Sequence, residues 1–223
     1  MYNGDMHQEN AHLATRQNYD RLSRWYDSFS SGERNLSKIA LELLKIQPGE
    51  NVLELGFGTG HVLLNLAQAA GESGSVTGID ISPGMLAIAN RRVQNSGLAG
   101  TVTLQVGDAT QLLFPDKQFH VAFISFTLEL FENSEIPLVL AECRRVLLAG
   151  GRLGIVSLQE KESFMVSLYK WFHNHFAEVV DCRPIAVHQV IEAAGFEIIQ
   201  TLGKNLWGLP VEIVIAKCPE EMQ

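Results

Sequence analysis

Short apolar runs alternate along the chain with longer amphipathic stretches, and this pattern predicts an α/β fold. Between Asn51 and Val156 the runs are separated by helical stretches, as in a sheet built from strand, helix, strand units. The last two runs are expected to form an antiparallel pair, with strand seven antiparallel. Seven strands are predicted, namely Asn51–Leu55, Ser75–Asp80, Val102–Val106, Phe119–Phe126, Arg152–Val156, Phe196–Thr201 and Val211–Ala216.

Capping residues mark the ends of several predicted helices. Ser82 directly precedes Pro83, an arrangement typical of a helix N-terminus. Gly150 and Gly195 follow helical stretches and are interpreted as helix stops, so the helix before Gly150 is expected to run up to that glycine. The run Phe119–Phe126 is apolar enough to be a central strand buried on both faces, which requires helices on both faces of the sheet.

The turn after the first strand carries three glycines at alternate positions, Gly56, Gly58 and Gly60, preceded by Glu54. We interpret them as a ligand-binding loop, because a side chain at any of the three would occupy the space of a closely held ligand. A dinucleotide loop of the G-x-G-x-x-G type requires its third glycine at position 61, which is His61. The loop therefore disfavours an NAD-dependent dehydrogenase.

Three further strands end in polar residues. Asp80 closes the second strand 20 residues after Gly60, where α/β nucleotide sites place the carboxylate that binds the ribose hydroxyls. The alternative, that Asp80 caps the next helix, is weaker because Ser82 is better placed for that role. Asp108 follows the third strand, and Ser125 ends the fourth at the edge where open α/β sheets bind ligands.

Taken in order, these motifs resemble the class I S-adenosylmethionine (SAM) dependent methyltransferases of the ubiquinone/menaquinone-biosynthesis C-methyltransferase type. The segment Arg145–Leu153 is similar to a helix-to-strand segment of the same enzymes, with Ala149 where proline is usual. The resemblance extends over residues 19–218 and is strongest over 51–156. It implies a Rossmann-like, seven-stranded mixed sheet with SAM as the cofactor.

The resemblance also implies roles for individual residues. The glycines and Thr59 would contact the methionine part of SAM and Asp80 the ribose. Asp108 and Ala109 would contact the adenine, and Ser125 would form the floor of the site. The complete set of predicted cofactor residues is Glu54, Gly56, Gly58, Thr59, Gly60, Asp80, Ile81, Asp108, Ala109 and Ser125.

Two positions depart from the pattern of these enzymes. His120 replaces an aspartate at the start of the fourth strand, which is expected to lie far from the cofactor. Glu129 and Leu130 replace a polar or basic pair at a position expected to face the substrate. The expected acceptor is a small apolar or lipid-like molecule. Its identity stays open among a quinone, a phospholipid and another small molecule.

Composition narrows the class of protein. A chain of 223 residues with 46% hydrophobic residues suits one domain, predicted over 19–218, after a flexible tail over 1–18. The net charge of −8 disfavours a nucleic acid partner, and the arginine pairs at 91–92 and 144–145 are interpreted as solvated helix faces. No apolar run reaches the roughly 20 residues that span a bilayer. A cytoplasmic protein is expected; peripheral membrane contact and the oligomeric state stay open.

The three cysteines are far apart in the sequence. Cys143, Cys182 and Cys218 predict a reducing compartment without disulfides. A metal triad or a reactive-thiol site is the weaker alternative, because Cys143 lies on the inner stripe of a predicted helix that also carries Ile136, Leu140 and Leu147. We predict no metal site.

Two segments are left to cover the substrate, 19–45 and about 158–190. The second carries aromatic residues at helical spacing from Phe164 to Phe176, which fit either core packing or an apolar lid. Glu129, His173 and His175 are candidate bases by location, each with a plainer interpretation as a loop acid or a surface histidine, and no catalytic residue is predicted. The expected function is SAM-dependent methyl transfer, with a non-catalytic SAM-binding protein as the alternative.

Overall fold

The computed structural model describes residues 31–160 and 183–220. The predicted tail over 1–18, the part of the predicted cover over 19–30, Cys182 and the aromatic segment Phe164–Phe176 lie outside the described residues. The helices described are α1 Ser31–Leu44, α2 His61–Ala70, α3 Pro83–Ser96, α4 Ile136–Val146 and α5 Val187–Ala193. The strands are β1 Asn51–Leu55, β2 Ser75–Asp80, β3 Val102–Val106, β4 Phe119–Ser125, β5 Leu147–Leu158, β6 Glu197–Leu206 and β7 Leu209–Lys217.

The seven strands form one sheet in the order β3-β2-β1-β4-β5-β7-β6. Strands β1 to β5 pair in parallel, whereas β7 runs antiparallel to both of its neighbours, β5 and β6. The predicted seven-stranded mixed sheet with strand seven antiparallel is confirmed.

Helices cover both faces of this sheet. On one face, α1, α2 and α3 bury apolar side chains that include Leu44, Leu66 and Met85. On the other, α4 and α5 contribute Leu140 and Ile191 to a second cluster. Ser82 accepts a hydrogen bond from the backbone N–H of Met85 at 3.1 Å, so the predicted cap of α3 is confirmed.

The register of the central strands determines where ligands can bind. Leu55 at the end of β1 pairs with Ile79 of β2 on one side and with Ile124 of β4 on the other. The carboxyl ends of the three strands therefore lie side by side. The strand order reverses at β1, and open α/β sheets leave a crevice for a ligand at such a reversal.

Several strand boundaries differ from the prediction, most of all in β5, β6 and β7. Helix α4 ends at Val146 and β5 begins at Leu147, which pairs with Phe119 of β4, so Gly150 lies within the strand instead of stopping the helix. Strands β6 and β7 are longer than predicted and meet at Trp207-Gly208, both with positive φ (52° and 86°). A two-residue turn of this kind matches the twist of a hairpin, which allows the pairing to reach the turn.

Candidate active site

The three glycines of the loop after β1 all have positive φ, but for different local reasons. A Cβ at Gly58 (φ 51°) would meet no atom within 4 Å. A Cβ at Gly56 would lie 2.3 Å from the Thr127 side chain, and one at Gly60 would lie 2.8 Å from the Cβ of Ala89 on α3. Gly56 and Gly60 therefore make room for other parts of the protein, whereas Gly58 faces open space. That the three glycines make room for a ligand stays a prediction.

Asp80 joins the end of β2 to the glycine loop. Its Oδ2 accepts a hydrogen bond from the backbone N–H of Gly58 at 2.8 Å, and its Oδ1 accepts one from the N–H of Ser82 at 2.9 Å. A carboxylate has about four acceptor positions, so one such group can bind backbone N–H groups and hydroxyl groups of a ligand at the same time. Asp80 thus shapes the loop as well as bordering the cavity beside it.

Glu54 is a buried acid at the same edge of the sheet. The side chain is 2% exposed, and its Oε2 has no hydrogen-bond partner among the described residues. Burial, reinforced by the negative charge of Asp80, raises the pKa of Glu54 well above its usual range. A cationic ligand in the cavity would offset the cost of keeping this carboxylate charged.

One cavity collects almost all of the predicted cofactor residues. Its walls include the whole predicted set except Gly60, which lies behind the loop as the N-cap of α2. Asp108 borders the cavity with a carboxylate whose Oδ1 accepts bonds from the backbone N–H and the hydroxyl of Thr110. Ser125 borders it at the end of β4. The roles of these residues toward SAM remain a prediction.

Helix α1 contributes residues that the sequence pattern missed. Glu33, Arg34 and Ser37 line the cavity from its first turns. The hydroxyl groups of Ser37 and Ser125 are hydrogen-bonded at 2.8 Å, and Arg34 is hydrogen-bonded to Nε2 of His61 at 3.0 Å. The segment 19–45 was predicted to cover the site, but no local motif marks which residues of α1 reach it.

Two arginines interpreted as solvated have structural roles. Arg92 on α3 donates a hydrogen bond to the backbone oxygen of Thr59 and so ties the glycine loop to that helix. Arg145 forms ion pairs with Glu142 and Asp116, each at 2.8 Å. The prediction was wrong for both residues, because each guanidinium binds a partner at least 29 residues away in the sequence.

Glu129 is not the loop acid that the sequence suggested. It belongs to a single 3-10 turn, Leu128–Leu130, and its side chain is fully buried. It does not border the cavity, whereas Leu130 does. The expectation that Glu129 faces the substrate is therefore corrected for the described residues: the side chain points into the protein, where its Oε1 accepts the N–H of Leu158 at 3.2 Å.

The structure also shows where His120 and Cys143 lie relative to the cavity. His120 lies at the amino end of β4, away from the cavity, and its Nδ1 accepts the N–H of Asn51 at 3.0 Å. Cys143 is fully buried in the inner stripe of α4, and this burial raises the pKa of its thiol to about 12.

Among residues 31–160 and 183–220, no group of three His, Cys, Asp or Glu side chains is arranged to hold a metal ion. No helix in these ranges is long and apolar enough to cross a membrane.

The cavity suits SAM on three counts. Gly58 leaves open space where any other residue would project a side chain. The unpartnered Oε2 of Glu54 and the carboxylate of Asp80 suit a molecule that carries an ammonium group and a sulfonium. Asp80 and Asp108 stand at the ends of neighbouring strands, where the two hydroxyls and the base of a nucleoside can be bound side by side.

A family model described as a methyltransferase domain matches residues 52–151. The chain is 30% identical over 172 residues to a demethylmenaquinone methyltransferase of Lactobacillus johnsonii, covering 73% of this chain and 69% of that relative. It is 34% identical over 146 residues to a 2-phytyl-1,4-naphtoquinone methyltransferase of Synechococcus elongatus, covering 65% of this chain and 60% of that relative. It is 29% identical over 210 residues to a nocamycin O-methyltransferase of Saccharothrix syringae, covering 84% of this chain and 74% of that relative.

Solved structures share the fold. A SAM-dependent methyltransferase from Aquifex aeolicus matches with a TM-score of 0.68 and 23% identity over 89% of this chain and 98% of that one. The cyclase SpnF matches with a TM-score of 0.77 and 22% identity over 93% of this chain and 96% of that one. The chain belongs to the SAM-dependent methyltransferase family, whose cofactor is SAM, and it spans about 60% of the length of the Synechococcus relative.

Proposed function

We propose that the protein transfers a methyl group from SAM to a small, largely apolar acceptor, with a reduced quinone as the first candidate. The observation that carries the proposal is the convergence of Gly58, Glu54 and Asp80 on one cavity, in a chain of this family. The relatives named as quinone methyltransferases support the choice of acceptor. The relative named as an O-methyltransferase makes a hydroxyl-bearing acceptor the second candidate.

Apolar side chains of the same cavity support an apolar acceptor. Phe126 at the end of β4, with Leu130 and Phe131 just after it, borders the cavity, as does Phe57 in the glycine loop. Burying an aromatic ring or an isoprenoid chain against such groups contributes on the order of 25 cal/mol per Å² removed from water. The segment Phe164–Phe176, predicted as either lid or core, lies outside the described residues and stays open.

The chemistry requires little from the protein beyond binding and orientation. SAM, when bound, supplies an electrophilic methyl group on a positively charged sulfur. The glycine loop and Asp80 would hold the cofactor, and Asp108 and Ala109 would contact its base. The aromatic wall would exclude water and position the acceptor for in-line attack, which is the main source of rate in such a transfer.

The test is transfer of a radiolabelled methyl group from SAM to a panel of acceptors. The panel comprises reduced 2-phytyl-1,4-naphthoquinone, a reduced demethylmenaquinone, phosphatidylethanolamine and a hydroxylated aromatic. Labelled naphthoquinone product with the wild type, and none with Gly58→Val, is the expected result. Tight SAM binding without label in any acceptor would favour the non-catalytic alternative, and label only in the phospholipid would overturn the quinone assignment.

A further inference from the structure

Two serine hydroxyl groups meet on the cavity wall, one from a helix and one from the end of a central strand. Ser37 on α1 and Ser125 on β4 both line the cavity, and their Oγ atoms lie 2.8 Å apart. The Oγ of Ser37 also lies 2.9 Å from the backbone oxygen of Glu33, one turn earlier on α1. Ser37 is 2% exposed, so its hydroxyl depends on these contacts for hydrogen bonding.

The number of protons fixes the direction of both hydrogen bonds. A hydroxyl group carries one proton, and a backbone carbonyl oxygen can only accept. The contact with Glu33 therefore uses the proton of Ser37, and the contact between the two serines uses the proton of Ser125. Any other assignment leaves two oxygens in close contact with no proton between them. Ser125 thus donates to Ser37, and only the lone pairs of its oxygen remain for a ligand.

Thr127 has the same polarity two residues further along the chain. Its side chain lines the cavity, and its Oγ1 donates to the backbone oxygen of Ser125 at 3.0 Å. The proton of Thr127 is therefore also directed at the protein. Where β4 ends, the hydroxyl groups of the wall can accept a hydrogen bond from a ligand but have no proton left to donate. Such a wall favours a ligand that supplies the proton over one that offers only a carbonyl oxygen.

The ligand that suits Ser125 is the methyl acceptor. Phe126 follows Ser125 directly in the chain and lines the same cavity, as do Leu130 and Phe131. The ammonium group of SAM is better matched by Glu54, because an ionised oxygen binds a charged donor more strongly than a hydroxyl does. The neutral oxygen of Ser125 is matched by a neutral donor such as a phenolic hydroxyl.

We propose that Ser125 determines acceptor specificity by accepting a hydrogen bond from a hydroxyl group of the acceptor. Ser37 is a positioning residue that holds the proton of Ser125 away from the ligand. This inference rests on the proposed function and names the form of the acceptor. A phenol or hydroquinone, which donates a hydrogen bond, binds in preference to the matching quinone or methyl ether, which does not.

The first arm of the test measures binding and needs no methyl transfer. The probes are 1-naphthol, which donates a hydrogen bond, 1-methoxynaphthalene, which cannot, and 1,4-naphthoquinone, which offers only carbonyl groups. Their Kd values are measured by calorimetry on protein saturated with S-adenosylhomocysteine. One neutral hydrogen bond changes affinity by about three- to tenfold, so the wild type should prefer 1-naphthol to the other two by about that factor. Equal or tighter binding of the ether and the quinone would overturn the proposal without any variant.

Two variants separate the roles of the serines. Ser125→Ala removes the accepting oxygen, so the preference for 1-naphthol should disappear. Ser37→Ala frees the proton of Ser125 for donation, so 1,4-naphthoquinone should gain on 1-naphthol by about threefold or more. A change in packing alone would weaken all three probes together. Ser37→Cys, whose thiol is a weak donor and acceptor, replaces the alanine variant if that variant does not fold.

Ser96→Ala is the matched control for both variants. Ser96 is an exposed serine on α3 that does not line the cavity, and its hydroxyl likewise donates within its own helix, to the backbone oxygen of Val93 at 2.7 Å. This variant should keep the wild-type preference among the three probes. An unchanged preference in Ser125→Ala would overturn the role of Ser125, and an unchanged preference in the Ser37 variant would overturn its positioning role.

The second arm uses transfer of the labelled methyl group to the acceptor that the panel identifies. Ser125→Ala should raise the KM for that acceptor by about three- to tenfold without a matching fall in kcat, while the Kd for SAM stays within about twofold. Ser125→Thr keeps the hydroxyl and should restore part of the affinity. A Kd for SAM that rises as much as the acceptor KM would assign Ser125 to the cofactor and overturn the proposal. No transfer by the wild type would refute the proposed function instead, and the preference among the probes would still decide the direction of the hydrogen bond.

Discussion

Asp80 has two tasks at the residue scale, because it holds the glycine loop and borders the cavity. Replacing Asp80 with Ala removes the acceptor of two backbone N–H groups and, in its proposed role, the acceptor of the ribose hydroxyls. Each charge-assisted hydrogen bond is worth about 1.5–3 kcal/mol, so we expect the affinity for SAM to fall about tenfold or more. Calorimetry on the folded variant measures this, with Asp116→Ala, an exposed aspartate paired with Arg145, as the control. An unchanged Kd in Asp80→Ala would show that the site is assigned wrongly.

The buried carboxyl group of Glu54 predicts how the affinity for SAM changes with pH. Its pKa is raised in the protein, so a fraction of the molecules carries a proton there before SAM binds. A cationic ligand favours the carboxylate, and binding should therefore release a proton and become tighter as the pH rises toward the pKa of Glu54. Calorimetry in buffers of different ionisation enthalpy counts the protons released. Glu54→Gln should release none, and equal proton counts for both proteins would contradict the role of Glu54.

At the scale of elements, the glycine loop shows how two neighbouring glycines serve different parts of the molecule. A valine at Gly58 has space for its Cβ but a positive φ, which costs about 1–2 kcal/mol. A valine at Gly60 has the same backbone cost and also collides with Ala89, and overpacking adds about 1–3 kcal/mol. We expect Gly58→Val to lose SAM binding with a modest loss of stability, and Gly60→Val to lose more stability.

Urea unfolding and SAM calorimetry on the two variants separate these effects. Because both variants carry valine, the difference between their free energies of unfolding reports only the surroundings of the two positions. If Gly60→Val were as stable as Gly58→Val, the packing of α2 against α3 would not depend on Gly60.

The presence and order of the strands could be predicted from the sequence, since each strand contains a local apolar run. The full lengths of β5, β6 and β7 could not, because their pairing continues beyond those runs. The long-range contacts that determine the roles of individual residues could not be predicted from the sequence. Gly56 meets Thr127 and Arg92 meets Thr59 over long distances in sequence, and no local pattern records such a pairing. Glu129 was misplaced for a related reason, because a charged residue in a turn suggests exposure until the neighbouring strand β5 is known to close over it.

At the scale of the whole molecule, buried acids make stability depend on pH. Burial raises the pKa of Glu129 from its ordinary value of 4.5 to about 7 in the folded protein. The native state therefore binds more protons than the unfolded state between these values, and the free energy of unfolding falls as the pH rises through that window, by up to about 3 kcal/mol for this group. We expect the protein without SAM to be more stable near pH 5 than near pH 8.

Glu129→Gln tests the origin of this dependence. The variant should show a smaller difference between the two pH values in urea unfolding, because its amide does not titrate. Glu192→Gln, exposed on α5, should behave as the wild type. A full wild-type dependence in Glu129→Gln would mean that other groups are responsible.

The acids around the glycine loop also bear on how the protein exchanges spent cofactor for fresh. In the proposed reaction, SAM enters the cavity with a positive sulfur and leaves it, after transfer, as a neutral thioether. Glu54, Asp80 and Asp108 surround that cavity with negative charge, which attracts the charged form more strongly than the neutral one. In the proposed reaction these carboxylates therefore bind the charged cofactor more strongly than the neutral product, so that electrostatics limits inhibition by the product.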